Sequence, residues 1–366
     1  MKKHCLCILI AALLFAAAGC AAAPQPQPPS APPVVPVEED LATAVANMAP
    51  LELKWSIEVF STYYLQPAFI HWEERVEELT QGKIQVTRYT DQSLMAQGDT
   101  YPAVLDGIVE MGEGDPSYAT AYFPMLSGFY LAGFSFDSMK AASNTFNDYL
   151  HQDFAELQDV KMLWGFCMPA SDLLSNVKVE TLADLKGRQV RCTGYSADTI
   201  ARLGAVPVGL TSAETYDALL KGTVDMTLMN ASSLEAPLNL GEVTKYVIRI
   251  PGISTLPHFI FIDKESWAAI PPAVQAEIEK INLECLQMVV DLNEEALTLA
   301  LDNAVQNGTH EIVAVSPQEM QQWFEVLAPQ VESWIAQQTG KGLDGAAAVE
   351  ILKELTAKNN ELYGDE

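Results

Sequence analysis

Residues 181–246 read TLADLKGRQVRCTGYSADTIARLGAVPVGLTSAETYDALLKGTVDMTLMNASSLEAPLNLGEVTKY, and this stretch decides the fold. Arg191 stands at the end of a short β-run, and the two helical runs that follow it end at Gly204 and Gly222. An apolar strand is predicted directly afterwards, over residues 223–229. Strands that alternate with helices indicate an α/β layer. The stretch therefore predicts a sheet-and-helix layer that holds a guanidinium near a ligand cleft.

The chain before this stretch predicts a second layer of the same kind. Residues 51–60 alternate apolar and polar side chains, as in a half-buried strand. Residues 67–81 have the spacing of an amphipathic helix, and residues 84–89 form the next predicted strand. A strand, a helix and a strand in that order predict a parallel sheet. Further helices are predicted over 99–110 and 137–157, and further strands over 161–168, 246–250, 258–262 and 311–315.

One predicted helix is long enough to join two lobes. It begins at Pro271 and Pro272, and neither proline nor glycine interrupts the chain before Gly308. At 1.5 Å per residue, a helix over residues 271–307 would be about 54 Å long. That length exceeds one lobe, so we expect the helix to span both. The alternative is a break near residues 291–293, which would give two shorter helices.

The N-terminal segment predicts export and a lipid anchor. Lys2 and Lys3 precede an apolar run and the sequence Ala-Ala-Gly-Cys, which ends at Cys20. This pattern is typical of a signal peptide with a lipobox over residues 1–20, in which Cys20 is lipidated. A plain membrane anchor is the alternative, although the second half of the apolar run is weakly hydrophobic for a spanning helix. Residues 21–49 are rich in proline and alanine and are predicted to be a linker. We therefore expect an exported protein that is lipid-anchored to the cell membrane and faces the periplasm or the cell exterior.

Charge and cysteine content restrict the function further. The chain carries 21 Lys and Arg against 48 Asp and Glu, a net charge of −27, which excludes nucleic acid as a partner. A small anionic ligand is not excluded, because surface charges beyond about 8 Å are largely screened at physiological salt. The three cysteines after the leader do not form a disulfide framework. A bridge between Cys167 and Cys192 and three buried free thiols both remain open.

Catalytic and metal-binding patterns are missing from the sequence. It contains no GxSxG elbow, Walker loop or HExxH motif, and its histidines are too far apart for a metal motif. Neither a cofactor nor a metal is therefore predicted. Residues 111–118 are predicted to be a strand end that runs into a glycine-rich loop. Glu113 and Asp115 in this loop could be paired carboxylates, but the acidity of the whole chain favours a solvated loop.

The segments DLKGxxxR (residues 184–191), LGAVPV (203–208), ETYDALLKGTVD (214–225) and EVTKY (242–246) together resemble one known family. They match the solute-binding proteins of tripartite ATP-independent periplasmic (TRAP) transporters, of the DctP-like type. The segment WAAIPPAVQ before the long helix also fits, and weaker similarity covers about residues 52–340. The resemblance implies an α/β, two-lobed periplasmic-binding-protein-like fold with a long helix bridging both lobes. It places residues 50–167 and about 256–300 in lobe I, and residues 168–255 and about 301–366 in lobe II.

The resemblance also implies a function. The protein would be an extracytoplasmic receptor, not an enzyme, that captures an organic acid between its lobes and delivers it to small and large permease subunits. Arg191 would clamp the ligand carboxylate; a surface or inter-lobe salt bridge is the alternative role for this residue. Many family members have VDG where this chain has Val224, Asp225 and Met226, so their ligand specificities do not transfer.

Residues beyond the predicted strand ends are the other candidate ligand contacts, because α/β proteins bind ligands there. They are aromatic, methionine or small polar residues: Tyr63, Tyr64, Ser117, Tyr118, Met168, Met229 and Asn230. Their character predicts a carboxylate with an apolar or aromatic body. Two other functions stay open at this point, a ligand-sensing lipoprotein for a signalling receptor and an extracellular enzyme on the same scaffold.

Overall fold

The computed structural model describes residues 40–364, which form twelve α-helices and eleven strands. The strands are β1 (Leu51–Ile57), β2 (Ile84–Tyr89), β3 (Met111–Gly114), β4 (Val160–Met168), β5 (Asp172–Ser175), β6 (Gln189–Cys192), β7 (Val206–Gly209), β8 (Met226–Met229), β9 (Tyr246–Arg249), β10 (Leu256–Asp263) and β11 (Glu311–Ala314). The helices are α1 (Leu41–Asn47), α2 (Gln66–Leu79), α3 (Thr100–Leu105), α4 (Met139–Leu150), α5 (Leu182–Leu185), α6 (Ser196–Arg202), α7 (Ser212–Leu220), α8 (Lys264–Ala269), α9 (Pro272–Gln306), α10 (Pro317–Leu327), α11 (Pro329–Gly340) and α12 (Gly345–Tyr363).

Lobe I is built on a five-stranded sheet in the order β2-β1-β3-β10-β4. Strand β1 runs parallel to β2 and β3, as the strand-helix-strand order predicts, whereas β10 runs antiparallel to β3 and β4. The alternation of β1 places Trp55 in the core, where it contacts the rings of Phe69 and Trp72 on α2. The apolar face of α2 thus fixes the helix on the sheet, and the strand ends lie at the cleft.

Lobe II is built on a six-stranded sheet in the order β11-β9-β5-β8-β6-β7. Strand β5 in its middle carries buried apolar side chains on both faces, because Leu173 and Leu174 pack in two different apolar cores. Strand β7 contains Pro207, which cannot donate a ladder hydrogen bond, and accordingly β7 lies at the edge. Helix α7 begins with the capping box predicted from Thr211 and Glu214. The two sheets and their helices confirm the predicted α/β fold with two lobes.

The chain crosses between the sheets several times. It passes from β4 to β5 through residues 169–171 and returns from β9 to β10 through residues 250–255. Helix α9 is continuous over Pro272–Gln306, so the break considered near residues 291–293 is absent. It packs against α2 and β4 of lobe I and against β11 of lobe II. The prediction of a long bridging helix is therefore confirmed.

Two parts of the expected domain division differ from the structure. Residues 41–47, at the end of the expected linker 21–49, form helix α1, because Ala44 and Val45 pack in the core of lobe I. Of residues 301–366, which were expected in lobe II, β11 belongs to the sheet of lobe II and α10 packs in its apolar core. Trp334 on α11 and Leu352 on α12 instead pack in the apolar core around α4 of lobe I.

The three cysteines of the described region are buried free thiols, namely Cys167, Cys192 and Cys285. Cys167 lies in the sheet of lobe I and Cys192 in that of lobe II, so the considered bridge between them is not formed. Within residues 40–364, no helix is long and apolar enough to cross a membrane. The predicted signal peptide, the lipidation site Cys20 and most of the linker lie outside the described residues.

Candidate functional site

A narrow cavity of about 70 Å³ lies between the lobes, at the ends of β1, β3, β6 and β8. Lobe I contributes Glu58, Val59, Phe60, Tyr63, Gln97, Asp115, Tyr118, Met168, Leu256 and His258, and lobe II contributes Arg191, Thr193, Ser212, Met229, Asn230 and Leu238. Six of the eight predicted ligand contacts are among them. The exceptions are Tyr64 and Ser117.

Arg191 is held in the cavity wall by the sheet of lobe II. It lies on β6, between β7 and β8, and is only 2% exposed. Its Nε donates to the Leu210 carbonyl at 3.0 Å, and its Nη2 donates to the Tyr118 hydroxyl at 3.0 Å. In the part of the chain that the structure describes, no carboxylate lies within ion-pair distance, and Nη1 has no hydrogen-bond partner. A buried cation without a counter-ion is costly, so this site favours an anionic ligand group.

The lobes touch each other next to Arg191. Tyr118 belongs to lobe I, so its hydrogen bond with Arg191 crosses the cleft. Tyr195 of lobe II also donates across the cleft, to the Thr120 and Phe123 carbonyls at 3.0 and 2.8 Å. At Gly194 a Cβ atom would lie only 2.8 Å from the Thr120 side chain. The absence of a side chain at residue 194 therefore permits this close approach.

Tyr64 and Ser117 lie just outside the cavity. The Tyr64 hydroxyl donates to Asn293 on α9 at 2.8 Å and lies 3.1 Å from the Ser232 hydroxyl. Its ring stacks on Tyr63, which does line the cavity. Ser117 is buried and donates its backbone N–H to Asp115 at 2.7 Å. Both residues thus support the cavity wall, and their predicted direct contact with ligand remains a prediction.

A buried acidic cluster, made of Glu58, Glu113, Asp115 and His258, lies on the lobe I side of the cavity, and all of its members except Glu113 line the cavity. Glu113 accepts hydrogen bonds from the backbone N–H of Glu58 at 2.8 Å and from Nδ1 of His258 at 2.7 Å. Glu58 accepts from the backbone N–H of Gly98 at 3.0 Å. Each of the three carboxyl groups belongs to a residue at most 4% exposed. The expectation of a solvated loop at Glu113 and Asp115 is therefore wrong, because strands β1 and β10 flank and bury it.

Burial and mutual repulsion shift the pKa values in this cluster. Burial, followed by the negative charge of Glu113, raises the pKa of Glu58 to about 8. Burial opposes the charged form of His258, yet its hydrogen bond and attraction to Glu113 raise its pKa to about 8. Near neutral pH, Glu58 is therefore largely protonated and His258 largely charged.

We expect the free energy of unfolding to fall as the pH rises from about 5 to about 9. In the unfolded state Glu58 loses its proton near pH 4.5, its ordinary pKa, whereas in the folded state it keeps the proton up to about pH 8. As the pH rises through this interval, the unfolded state is therefore stabilised relative to the folded state. His258 acts in the same direction, because its pKa rises from 6.5 to about 8 on folding. Glu58→Gln removes one titrating group, so the melting temperature of this variant should depend less on pH. Circular dichroism melts across the interval test this, and an unchanged slope in the variant would contradict it.

Sequence reasoning missed Glu58, Thr193 and His258. Glu58 follows an apolar strand and looks like one more surface acid in an acidic chain, and His258 stands alone in the sequence. Only the pairing of β3 with β10 brings His258 to Glu113. The sole sequence signal is the position of Glu58 and Thr193 directly beyond β1 and β6, where α/β proteins bind ligands.

Two α/β lobes that are joined by a long helix and enclose a buried arginine define a two-lobed ligand-binding protein. A model of the family described as bacterial extracellular solute-binding protein, family 7 (DctP), matches residues 60–338. The chain belongs to this family. Its members and structural neighbours are extracytoplasmic solute receptors, which confirms the resemblance to TRAP binding proteins.

Known relatives agree with this family. The chain is 29% identical to the C4-dicarboxylate-binding periplasmic protein DctP of Rhodobacter capsulatus over 156 residues. The aligned segment covers 43% of this chain and 44% of that relative. The match thus spans less than half of the relative. A TRAP periplasmic solute-binding protein from Desulfovibrio salexigens superposes with a TM-score of 0.75 at 26% identity, over 87% of this chain and 98% of that one. A TRAP solute-binding protein from Rhodoferax ferrireducens superposes with a TM-score of 0.77 at 22% identity, over 85% of this chain and 99% of that one.

Proposed function

We propose that this protein is the extracytoplasmic receptor of a TRAP-type transporter. It captures an organic acid between its lobes and delivers it to the small and large permease subunits. The observation that carries this proposal is Arg191, a buried guanidinium that lines the cavity and has no carboxylate partner among residues 40–364. Binding a ligand carboxylate supplies the missing counter-ion, and no chemical step is required.

The energetics are sufficient for a transport receptor. Hydrogen bonds to charged groups contribute roughly 1.5–3 kcal/mol each, and two can form between a guanidinium and a carboxylate. Burial of an apolar group of the ligand adds to this. Micromolar affinity corresponds to about −8 kcal/mol, which these terms together can reach.

The rest of the cavity wall supports a ligand with an apolar or aromatic body. Apolar side chains from both lobes face the cavity: Val59, Phe60, Met168, Met229, Leu238 and Leu256. Among the structural neighbours, the Rhodoferax ferrireducens protein was solved in complex with copurified benzoate. The Desulfovibrio salexigens protein holds the C-terminus of a symmetry mate in its ligand-binding site. An acid group on an apolar body is consistent with this cavity.

A screen with matched ligands tests the proposal. The purified body, residues 40–366, is mixed with carboxylic acids and with their uncharged amides, for example benzoate and benzamide or 3-phenylpropanoate and its amide. We expect some acids to raise the melting temperature and to bind in calorimetry, whereas their amides do not. Binding of amides as tight as that of the acids would overturn the proposal, and so would binding to no acid in a broad library.

We also propose that Cys20 carries the lipid anchor, because it follows the sequence Ala-Ala-Gly at the end of an apolar run. Expressed as the full chain in a bacterial host, the protein should partition into detergent and give the mass of an acylated N-terminal cysteine. Cys20→Ser should move it to the aqueous phase. Aqueous partitioning of the unaltered protein would contradict the anchor and leave the receptor function untouched.

A further inference from the structure

The two walls of the cavity carry opposite charges. Lobe II presents Arg191, whereas lobe I presents Glu58, Asp115 and His258 of the acidic cluster; Glu113, the fourth member, is fully buried and does not line the cavity. Among residues 40–364, no lysine or arginine lies within ion-pair distance of these carboxyl groups, and His258 is their one basic partner. Tyr118 stands between the walls, since its hydroxyl accepts from Arg191; burial raises the pKa of Tyr118, and the nearby Asp115 raises it further.

Binding of a plain carboxylate to Arg191 changes the charge balance of this buried site. With Glu58 protonated, as its raised pKa implies near neutral pH, the other two carboxyl groups of the acidic cluster match the charges of Arg191 and His258. A ligand carboxylate would add another negative charge to a region shielded from water, where unbalanced charge is expensive. A positive charge on the ligand would offset this added negative charge.

A second observation points to a polar ligand atom in the same place. Thr193 lines the cavity and is 7% exposed, yet its hydroxyl has no hydrogen-bond partner among residues 40–364. A buried hydroxyl left without a partner costs about 1–3 kcal/mol. Thr193 directly follows β6, two residues after Arg191, and both side chains line the cavity.

We propose that the ligand is zwitterionic: a carboxylate bound by Arg191 and a protonated nitrogen bound by Glu58 and Asp115. The proposal rests on the proposed function and deepens it, because it names the chemical class of the acid. Glu58 accepts hydrogen bonds from the backbone N–H groups of Gly98, at 3.0 Å, and of Asp115, at 3.4 Å, so its oxygens retain capacity for a donor. Amino acids and other amino-substituted acids with an apolar body belong to this class.

Ligands that differ at one atom test this proposal. 3-Phenylpropanoate, 3-phenyllactate and phenylalanine carry hydrogen, hydroxyl and ammonium at the same carbon, and 3-amino-3-phenylpropanoate moves the ammonium by one carbon. A parallel series of pentanoates tests the same change on a smaller body. Calorimetry should show at least about tenfold tighter binding for an ammonium form than for the unsubstituted acid.

The variant Glu58→Gln separates this charge from the rest of the site. We expect it to weaken binding of the ammonium ligand by at least about tenfold and that of the unsubstituted acid by less than about threefold. Glu156→Gln is the matched control. Glu156 is a half-buried glutamate that accepts two backbone hydrogen bonds, at 2.7 and 2.8 Å, and burial raises its pKa to about 7, but it does not line the cavity.

Proton exchange gives an independent readout. Glu113, Asp115, His258 and Tyr118 are the titratable groups that act on Glu58, whose pKa of about 8 leaves it about half protonated at pH 8. Binding of an ammonium ligand should then release a fraction of a proton from Glu58, whereas binding of a plain carboxylate should cause Glu58 to take up a fraction of a proton. Calorimetry in buffers of different ionisation enthalpy measures the sign, and Glu58→Gln should abolish the release.

The outcomes distinguish the zwitterion proposal from the proposed receptor function. If plain carboxylates bind through Arg191 and no ammonium form binds more tightly, the zwitterion proposal is wrong and the receptor function stands. If no carboxylate of either kind binds, both fail. Ammonium preference that survives Glu58→Gln unchanged would also overturn the assignment of the cation to this cluster.

Discussion

Replacement of Arg191 by methionine is expected to weaken binding of the acidic ligand by at least about a hundredfold. Methionine keeps an unbranched apolar side chain in the core but removes the guanidinium. Loss of two charge-assisted hydrogen bonds at roughly 1.5–3 kcal/mol each corresponds to a factor of about a hundred or more. The measurement is calorimetric titration with the best acid from the screen. Because Arg191 is a buried charge without an ion-pair partner in the described region, the variant should melt at a temperature equal to or above that of the native protein.

Arg188→Met provides the matched control. Arg188 lies three residues earlier and pairs with Asp225 at 3.5 Å, and its side chain is 41% exposed. Its replacement should leave the dissociation constant within about twofold, since exposed pairs contribute little. Equal affinities of the Arg191 variant and the native protein would show that the ligand carboxylate binds elsewhere.

Asn293→Leu is expected to lower the free energy of unfolding by about 2–4 kcal/mol. Asn293 is fully buried in the middle of α9. Its Nδ2 donates to the Cys167 carbonyl at 3.0 Å, and its Oδ1 accepts from the Tyr64 hydroxyl at 2.8 Å. Leucine fills a similar volume but leaves the carbonyl and the hydroxyl without this partner. Urea denaturation followed by circular dichroism measures the change.

The same substitution ten residues later serves as the control. Asn303 is also on α9, but it is half-buried and donates only to Glu235, at 3.0 Å. Asn303→Leu should change the free energy of unfolding by less than about 1 kcal/mol. A loss of similar size in both variants would indicate that α9 tolerates no apolar replacement on either face, and would remove the special role of Asn293.

The sequence predicted those elements that carry their own start and stop signals. The alternation in β1 and the uninterrupted run between Pro272 and Gly308 are local patterns, and the structure has both elements. Strand β5 was missed because Asp172–Ser175 has no alternation of apolar and polar residues, and β7 because Pro207 reads as a turn. Helix α1 was missed because its alanine-rich sequence continues the composition of the linker.

The candidate site divides in the same way. Arg191 could be found because a matched motif precedes it, and cavity residues such as Tyr118 because they follow strands. The acidic cluster could not be found, because burial is a property of the assembled sheet. Glu113 has the same local sequence whether the loop is solvated or covered by β10. Its partner His258 is specified by strand pairing, which no local pattern reveals.

The wide separation of these partners in the chain also constrains the order of folding. Glu113 and His258 are 145 residues apart, and the strands of lobe II from β5 to β9 lie entirely between them. Because closing a longer segment costs more entropy, pairing of β10 with β3 is expected after the nearer pairings within residues 172–249. The larger part of lobe II can therefore become structured while the sheet of lobe I still lacks β10. The ligand pocket is then among the last parts of the molecule to form.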